Sequence, residues 1–521
     1  MENETYVSAE LTLCWALLAG CVMATYFIQE HHVHVLPPSG AAMLLGMVFG
    51  GLVKLLVGEE GTDGYRFDAS TFFFGILPPI VFSAGFNLKH KDFFKNFAAI
   101  LLFAVAGTLV STLVCGLGTF ALMEAGVVRR SSFGASPFLD CLLYGALISA
   151  IDPVATLAVF EDLAVPPLLY NLVFGESVMN DAVSIVLFRT LRSFDHASFG
   201  SHKLAHVLLK FLVTSAGSTL VGVASSLATA WVLKNLPLMA EGNVASSHFD
   251  KVIFECSVMV MGAYFAYLLA EACELSGIMS LFFAGILHAH YAYHNVSDIS
   301  AVVVKKGFDT IAFICETFLF AYLGLQVATF GHKVDAGLLA AALPLCLVAR
   351  ALNVFPLAKL ANLQRRKKIP GNVQVMQWAC GLRGGIAYAL AVNVPNTAGD
   401  HTDKGHADYD NNPVIETATL AVVVLSTLLF GGLTGPLLRY LDLDHAAAPP
   451  PGGDREAGRG GVPDAEDPEG DDQDGDVAYS KGVLLFKTFD TKVLQPFFGG
   501  EGRGGGGPSL LWEGDKGVKR R

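Results

Sequence analysis

Charge is what this sequence has least of. Only 16% of its 521 residues are Asp, Glu, Lys or Arg, against roughly 25% in an ordinary soluble domain. The hydrophobic share is 53% and the mean hydropathy is +0.49. A water-soluble core cannot hide that much apolar surface, so lipid is the solvent for most of the chain. Basic patches suited to nucleic acid are absent. The nine cysteines all lie inside apolar segments with no CxxC spacing, which argues against a disulfide framework or a zinc site and for small packing residues. Neither GxSxG, HExxH nor a GxGD pair occurs, so a membrane-embedded enzyme has no nucleophile–base set or metal motif to work with, and no cofactor is called for. The formal charge of −12 falls in part on the tail after Leu443, where 15 acids face 10 bases, and says little about partners of the apolar part.

What is present is a succession of long apolar runs. At about 20 residues per crossing, thirteen spans are predicted: 11–28, 36–57, 72–87, 97–123, 138–160, 168–191, 206–233, 252–273, 276–293, 307–330, 336–361, 374–394 and 414–438. The first lacks a basic leader and a clear small-residue cleavage site, so a retained helix is expected rather than a signal peptide. An odd count puts the termini on opposite sides. With the C-terminus cytoplasmic, the inner loops gather Lys89, Lys91, Lys95, Lys305, Lys306 and the run Arg365 to Lys368, as the positive-inside rule requires. Residues 1–445 thus form a membrane domain. A tail, 446–521, follows; its Pro, Gly, Asp and Glu run to Val477 cannot bury a core and is expected to be disordered. Within the tail, 483–498 (VLLFKTFDTKVLQPFF) is a short amphipathic stretch that either docks on the membrane domain or stays weakly ordered.

Ionisable groups inside spans cost roughly 3 kcal/mol or more each and are functional candidates by default. They cluster. In LVFGESVMNDAVSIVL (172–187), Ser177, Asp181 and Ser184 share one helical stripe, and Glu176 and Asn180 the adjacent one. Oxygen ligands suit hard cations, and a desolvated carboxylate lets proton and cation compete for one site; a polar helix–helix contact is the plainer reading. In SAIDPVATLAVF (149–160), Pro153 disfavours helix at Asp152. Unwinding there would expose the carbonyls of Ala150 and Ile151 beside a carboxylate, as in the broken helices of transporters; a simple proline kink is the alternative. In CGLRGGIAYAL (380–390), three glycines around Arg383 predict a second interrupted helix. The two interrupted spans, fifth and twelfth, run in opposite directions, as inverted repeats would have it, and Asp152 and Arg383 would offset the facing helix dipoles. Arg350 finds its best partner in Glu176, since two unpaired buried charges would be doubly costly; snorkelling is the alternative. Glu271, Glu274 and Glu316 complete the intramembrane acids. His31, His32 and His34, and His288, His290 and His294, lie at loop edges without metal-site spacing.

These motifs together resemble the sodium/proton exchanger family, cation/proton antiporters with an Asn-Asp pair. FFFGILPPI (72–80), ISAIDPVATLAVF, VFGESVMNDAVS, LSGIMSLFFAGI, CETFLFAYLGL and GLRGGIAYAL match in order and spacing over about residues 35–440. MNDAVSIVL, AHYAYHN and ARALNVFPLAKL look closest to the endomembrane (Golgi and endosomal) branch. The resemblance implies that Asp181 binds ion and proton, helped by Ser177, Asp152, Asn180 and the Ile151 carbonyl. It implies a Glu176–Arg350 ion pair, places Pro153 and Arg383 at a broken-helix crossing, and makes Phe72, Phe73, Leu77, Pro78 and Pro79 an element associated with amiloride-type inhibitors. It further implies a homodimer in membrane lipid working by an elevator motion. The neutral Asn180 before Asp181 predicts electroneutral exchange of Na⁺ or K⁺ for H⁺; a cation channel is the other class the polar residues would allow. Ser83 departs from the family, which usually carries an acid after PPIVF, and puts inhibitor response in doubt.

Overall fold

A computed structural model describes residues 2–31, 36–58, 68–88, 90–133, 136–152, 154–193, 201–235, 248–365, 367–394, 412–444, 490 and 494–499. The described residues are helical throughout, with no strand among them. Ten helical stretches are long and apolar enough to cross a bilayer. They are α1 (Glu2–Glu30), α2 (Pro38–Val57), α3–α4 (Ala69–Thr71, Leu77–Phe86), α5–α6 (His90–Leu101, Gly107–Glu124), α9 (Pro167–Arg192), α10 (Ser201–Asn235), α11 (His248–Ala272), α13 (Asp298–Thr329), α14 (Ala336–Gln364) and α17 (Pro413–Tyr440). The short α12 (Gly277–His290) and two interrupted passages, α7–α8 (Pro137–Ile148, Val154–Asp162) and α15–α16 (Gly371–Ala379, Gly385–Ala391), bring the passages to thirteen. The interruptions fall where the sequence puts them. Several helices run past the predicted spans: α13 begins at Asp298, not 307. Apolarity marks only the lipid-facing length of a helix, and the polar end continues into water. Of the tail, the expected disordered run 446–477 lies outside the described residues, as does most of 483–498.

Packing sorts the helices into two bundles. The first, here the scaffold, holds α1, α2, α4 and α10 to α13. The second, here the carrier, holds α5 to α9 and α14 to α17. Within the scaffold α2 and α13 touch backbone to backbone. A Cβ on Gly46 would strike the Ala321 carbonyl, and one on Gly324 the Met43 carbonyl. Small residues are how membrane helices gain contact when no hydrophobic force drives them together. Across the seam between bundles several contacts are again small or apolar: Gly431 meets Pro37, Gly40 meets Leu428, and Gly385 meets Leu319. Hydrogen bonds bridge the bundles near helix ends, from Arg189 to Glu271 at 3.0 and 3.1 Å and from Lys210 Nζ to Ser193 at 3.2 Å.

Two wide, π-type turns interrupt otherwise regular helices, at Phe72–Ile76 and Leu102–Ala106. The first has a chemical cause. Pro78 and Pro79 lack the N–H groups that would bond Phe74 and Gly75 in an α-helix. The scaffold helix α11 makes up part of that deficit: Tyr267 Oη donates to the Phe73 carbonyl and Tyr264 Oη to that of Phe74, both at 2.7 Å. Phe72 is buried, Phe73 and Leu77 pack in the core, and Ser83 is buried beside Asp309 of α13, which accepts from Ser83 Oγ at 3.3 Å and from Asn87 Nδ2 at 2.6 Å. Removing a Tyr267 hydroxyl should leave the Phe73 carbonyl unsatisfied, a loss of about 1–3 kcal/mol. Tyr267→Phe is therefore expected to lower the melting temperature of the detergent-solubilised protein, and an unchanged melt would show that this bond holds nothing.

Candidate cation and proton site

The site is built on a piece of backbone that has left its helix. Between α7 and α8, Ser149 to Asp152 are not α-helical, so their amides and carbonyls need partners from elsewhere. Two other passages, α9 and the second interruption, supply most of them. Arg383 Nη1 donates to the carbonyls of Ser149 (3.0 Å) and Ala150 (3.2 Å). Asn180 Oδ1 accepts the Ile151 amide at 2.9 Å, and Ser177 Oγ donates to the Ile151 carbonyl at 2.7 Å. The Asp152 amide donates to the Leu382 carbonyl at 3.1 Å, in the other interruption. Asp152 itself turns back to cap α8, its Oδ1 accepting the Val154 amide at 3.1 Å. The two interruptions lie against each other so closely that a Cβ at Gly384 would overlap the Asp152 carboxylate. Pro153 lies outside the described residues.

Asp181 stands apart from this network. Asp152 and Arg383 are its charged neighbours, and no hydrogen bond reaches its carboxylate from another described residue. It keeps partial solvent exposure, as Asp152 does, while Glu176, Ser177 and Asn180 beside it are buried. Asn180 is committed at both ends: besides accepting from Ile151, its Nδ2 donates to Thr108 Oγ1 at 2.6 Å. Thr108 in turn donates to the Ala104 carbonyl inside the wide turn Leu102–Ala106. Ser184 Oγ lies 3.0 Å from Ser149 Oγ. Ser177, Asp181 and Ser184 therefore do share a face, and that face looks onto the unwound backbone.

One turn away, Glu176 and Arg350 form a bidentate ion pair, with Nη2 to Oε2 at 2.9 Å and Nη1 to Oε1 shorter still. Both are 2% exposed or less. Gln377 supports both partners: its Nε2 donates to Glu176 Oε2 at 2.8 Å and its carbonyl accepts Arg350 Nη2 at 2.9 Å. Of the other acids, Glu271 pairs with Arg189, whereas Glu274 lies in the turn after α11 with a positive φ of 57°. His288 and His290 sit in the last turn of α12, buried, and each has its own protein partner. Among the described residues no cluster of His, Cys, Asp and Glu could hold a metal ion.

Reading residue types along single spans misses Thr108, Gln377, Ser426 (which accepts the Arg383 amide at 3.1 Å) and the buried Glu416, whose Oε1 accepts Tyr388 Oη at 2.7 Å. Thr108 and Ser426 carry no charge, so no cost argument marks them. Glu416 does, but it opens α17, where an acid at a helix start looks solvated. The pair predicts a mutational pattern. Breaking it from one side should cost about 3–5 kcal/mol, more than removing both charges together. Arg350→Met and Glu176→Gln are each expected to lower membrane yield and melting temperature, with partial recovery in the double variant; additive losses would contradict the pairing. Thr108→Val should raise the cation KM several-fold, because Asn180 then lacks the acceptor that aims it at Ile151, whereas Thr108→Ser should keep it.

A family profile described as "Sodium/hydrogen exchanger, transmembrane" matches residues 16–440. Sodium/hydrogen exchanger 8 of Mus musculus is 36% identical over 450 residues, covering 85% of this chain and 74% of that protein. Sodium/hydrogen exchanger 1 of Arabidopsis thaliana is 36% identical over 452 residues, covering 84% and 79%. In three dimensions the chain is similar to the sodium proton antiporter MjNhaP1 of Methanocaldococcus jannaschii, with a TM-score of 0.57, 17% identity and coverage of 85% of this chain and 99% of that one. With the match running from the first passage to the last, the chain belongs to the sodium/hydrogen exchanger family: it is a multi-pass membrane antiporter.

Proposed function

We propose that this protein exchanges one Na⁺ or K⁺ for one H⁺ without moving net charge, with Asp181 as the group that carries either ion. The observation behind this reading is the contrast within two turns of α9. Glu176 is neutralised by Arg350, and Asn180 is uncharged and bonded at both amide atoms, while Asp181 has no hydrogen-bond partner among the described residues. A carboxylate so placed can accept a proton or ligate a small hard cation, and each occupant brings one positive charge. Ser177 Oγ, the Ile151 carbonyl and Asp152 are the oxygens nearest to hand for completing a cation's shell. Arg383 and Pro153 then belong to the crossing that shapes the site, not to its ligands.

The apolar seam supports an elevator motion. The carrier, which holds Asp152, Asp181, Glu176, Arg350 and Arg383, meets the scaffold in part through glycine, proline and aliphatic contacts, which can slide without stripping hydrogen bonds, while the Arg189–Glu271 and Lys210–Ser193 bridges would have to break. The reading extends to a homodimer formed through the scaffold in an endomembrane compartment. The N-terminus is placed on the non-cytoplasmic side and the tail in the cytosol. The inhibitor-type element Phe72 to Pro79 belongs to the scaffold, where Asp309 supplies a carboxylate beside the neutral Ser83. Residues 1–445 act as the exchanger domain and 446–521 as its tail.

In proteoliposomes an imposed Na⁺ or K⁺ gradient should drive proton flux whose rate is unmoved by a valinomycin voltage clamp; voltage-driven turnover would refute one-for-one exchange, and uncoupled conductance would indicate a channel. Asp181→Asn should abolish exchange in a protein that still elutes as a folded particle. Because proton and cation compete for one carboxylate, the apparent KM for the cation should rise as pH falls on the side where the cation binds. A KM independent of pH would separate the two sites.

A further inference from the structure

The short segment near the C-terminus that the sequence leaves undecided has a receptor. Asp490 lies 46 residues after Asp444 and is fully buried. Its Oδ1 accepts Tyr291 Oη; its Oδ2 accepts His290 Nε2 at 3.2 Å and Gln495 Nε2 at 3.0 Å. Backbone carbonyls of the same segment are held as well. Lys234 Nζ donates to Pro496 at 2.6 Å and to Gly499 at 3.4 Å, and Asn295 Nδ2 donates to Phe498 at 2.8 Å. The Phe498 ring meets Tyr291 edge-on, with 6.5 Å between centroids. Burial pushes the Asp490 carboxyl upward, but the bonds from His290, Tyr291 and Gln495 outweigh it and hold the group below its ordinary range. The seated carboxylate is therefore charged throughout the physiological pH range.

Apart from Gln495, which is in the segment itself, every one of these partners lies on the scaffold. Lys234 is in the last turn of α10, His290 in the last turn of α12, and Asn295 follows α12 while also donating to the Ala230 carbonyl of α10 at 2.9 Å. A strap meant to lock the exchanger would have to bridge both bundles; this one grips two helices of the same bundle. One of them, α10, also packs on α9 through Phe211 against Val183 and Val186, and α9 carries Asp181. We propose that Lys234, His290, Tyr291 and Asn295 form a receptor for Asp490 and residues 494–499 of the chain's own tail, and that seating them staples α10 to α12 as a detachable brace. Bracing keeps α10 in place while α9 moves past it, so the tail sets turnover without touching the ion site. The role of α9 in this inference rests on the two-bundle reading above; the docking does not.

Two readouts on the full-length chain keep these apart. Hydrogen exchange at residues 494–499 should be slowed at least ten-fold relative to Asp490→Lys, and Tyr291→Phe on the receptor side should also accelerate it. In proteoliposomes both variants should lower maximal exchange two-fold or more at an unchanged cation KM. Equal hydrogen exchange in wild type and Asp490→Lys would overturn the receptor. Release of the segment with maximal exchange unaltered would overturn the brace while leaving the docking intact. A changed KM would place the tail's effect at the ion site and refute the division drawn here.

Discussion

Five backbone groups, the amides of Ile151 and Asp152 and the carbonyls of Ser149, Ala150 and Ile151, have left their helix in the middle of a hydrophobic protein. In hydrocarbon each would cost several kcal/mol if unpaired. Here Arg383, Asn180, Ser177 and the Leu382 carbonyl take them all. Everything else about the site follows from that debt being met locally. The donors come from α9 and from the second interruption, so those passages must stay in register with the first. Gly384 must be glycine because the Asp152 carboxylate fills the space its side chain would take. The carboxylate of Asp181 stays outside this network among the described residues, which is why the proposed exchange is centred on it.

The buried Glu176–Arg350 pair plays a different part. It stands on the same helix as Asp181, yet its charges cancel and its bonds to Gln377 tie α9 to α14 and α15. Such a pair is a poor source of net stability, since desolvation offsets most of the attraction. Its value lies in geometry: a fork of two parallel hydrogen bonds fixes rotation about the α9 axis more tightly than apolar packing would. The second bundle is thereby stiff around Asp181, and smoother where glycine, proline and aliphatic residues face the scaffold.

Much of this was legible in the sequence because charge in an apolar chain is conspicuous. Asp152, Glu176, Asp181, Arg350 and Arg383 announce themselves by cost alone, and Pro153 with the glycines of CGLRGG marks both interruptions. The thirteen passages were legible from apolar length, though their ends were not, since helices continue into water on polar residues. Neutral groups were harder to find. Thr108 and Ser426 look like ordinary span residues until the fold brings Asn180 and the Arg383 amide to them. The donors Tyr264 and Tyr267, which stand in for the proline pair, lie 190 and 194 residues from the carbonyls they bond. The tail segment showed its amphipathic pattern but not its receptor, because Lys234, His290 and Asn295 come together only in three dimensions.

The wide turn at Leu102–Ala106 amounts to one extra residue spliced into an otherwise continuous helix. An extra residue rotates everything beyond it by about 100° relative to an unbroken helix. Phe93 and Phe97, before the turn, and Thr108 and Thr112, after it, are thus set on faces that a single regular helix could not offer together. The turn acts as a phase shifter. It lets one passage obey two packing instructions, an aromatic one at its start and a polar one at the ion site, and a single-residue deletion there would force it to choose.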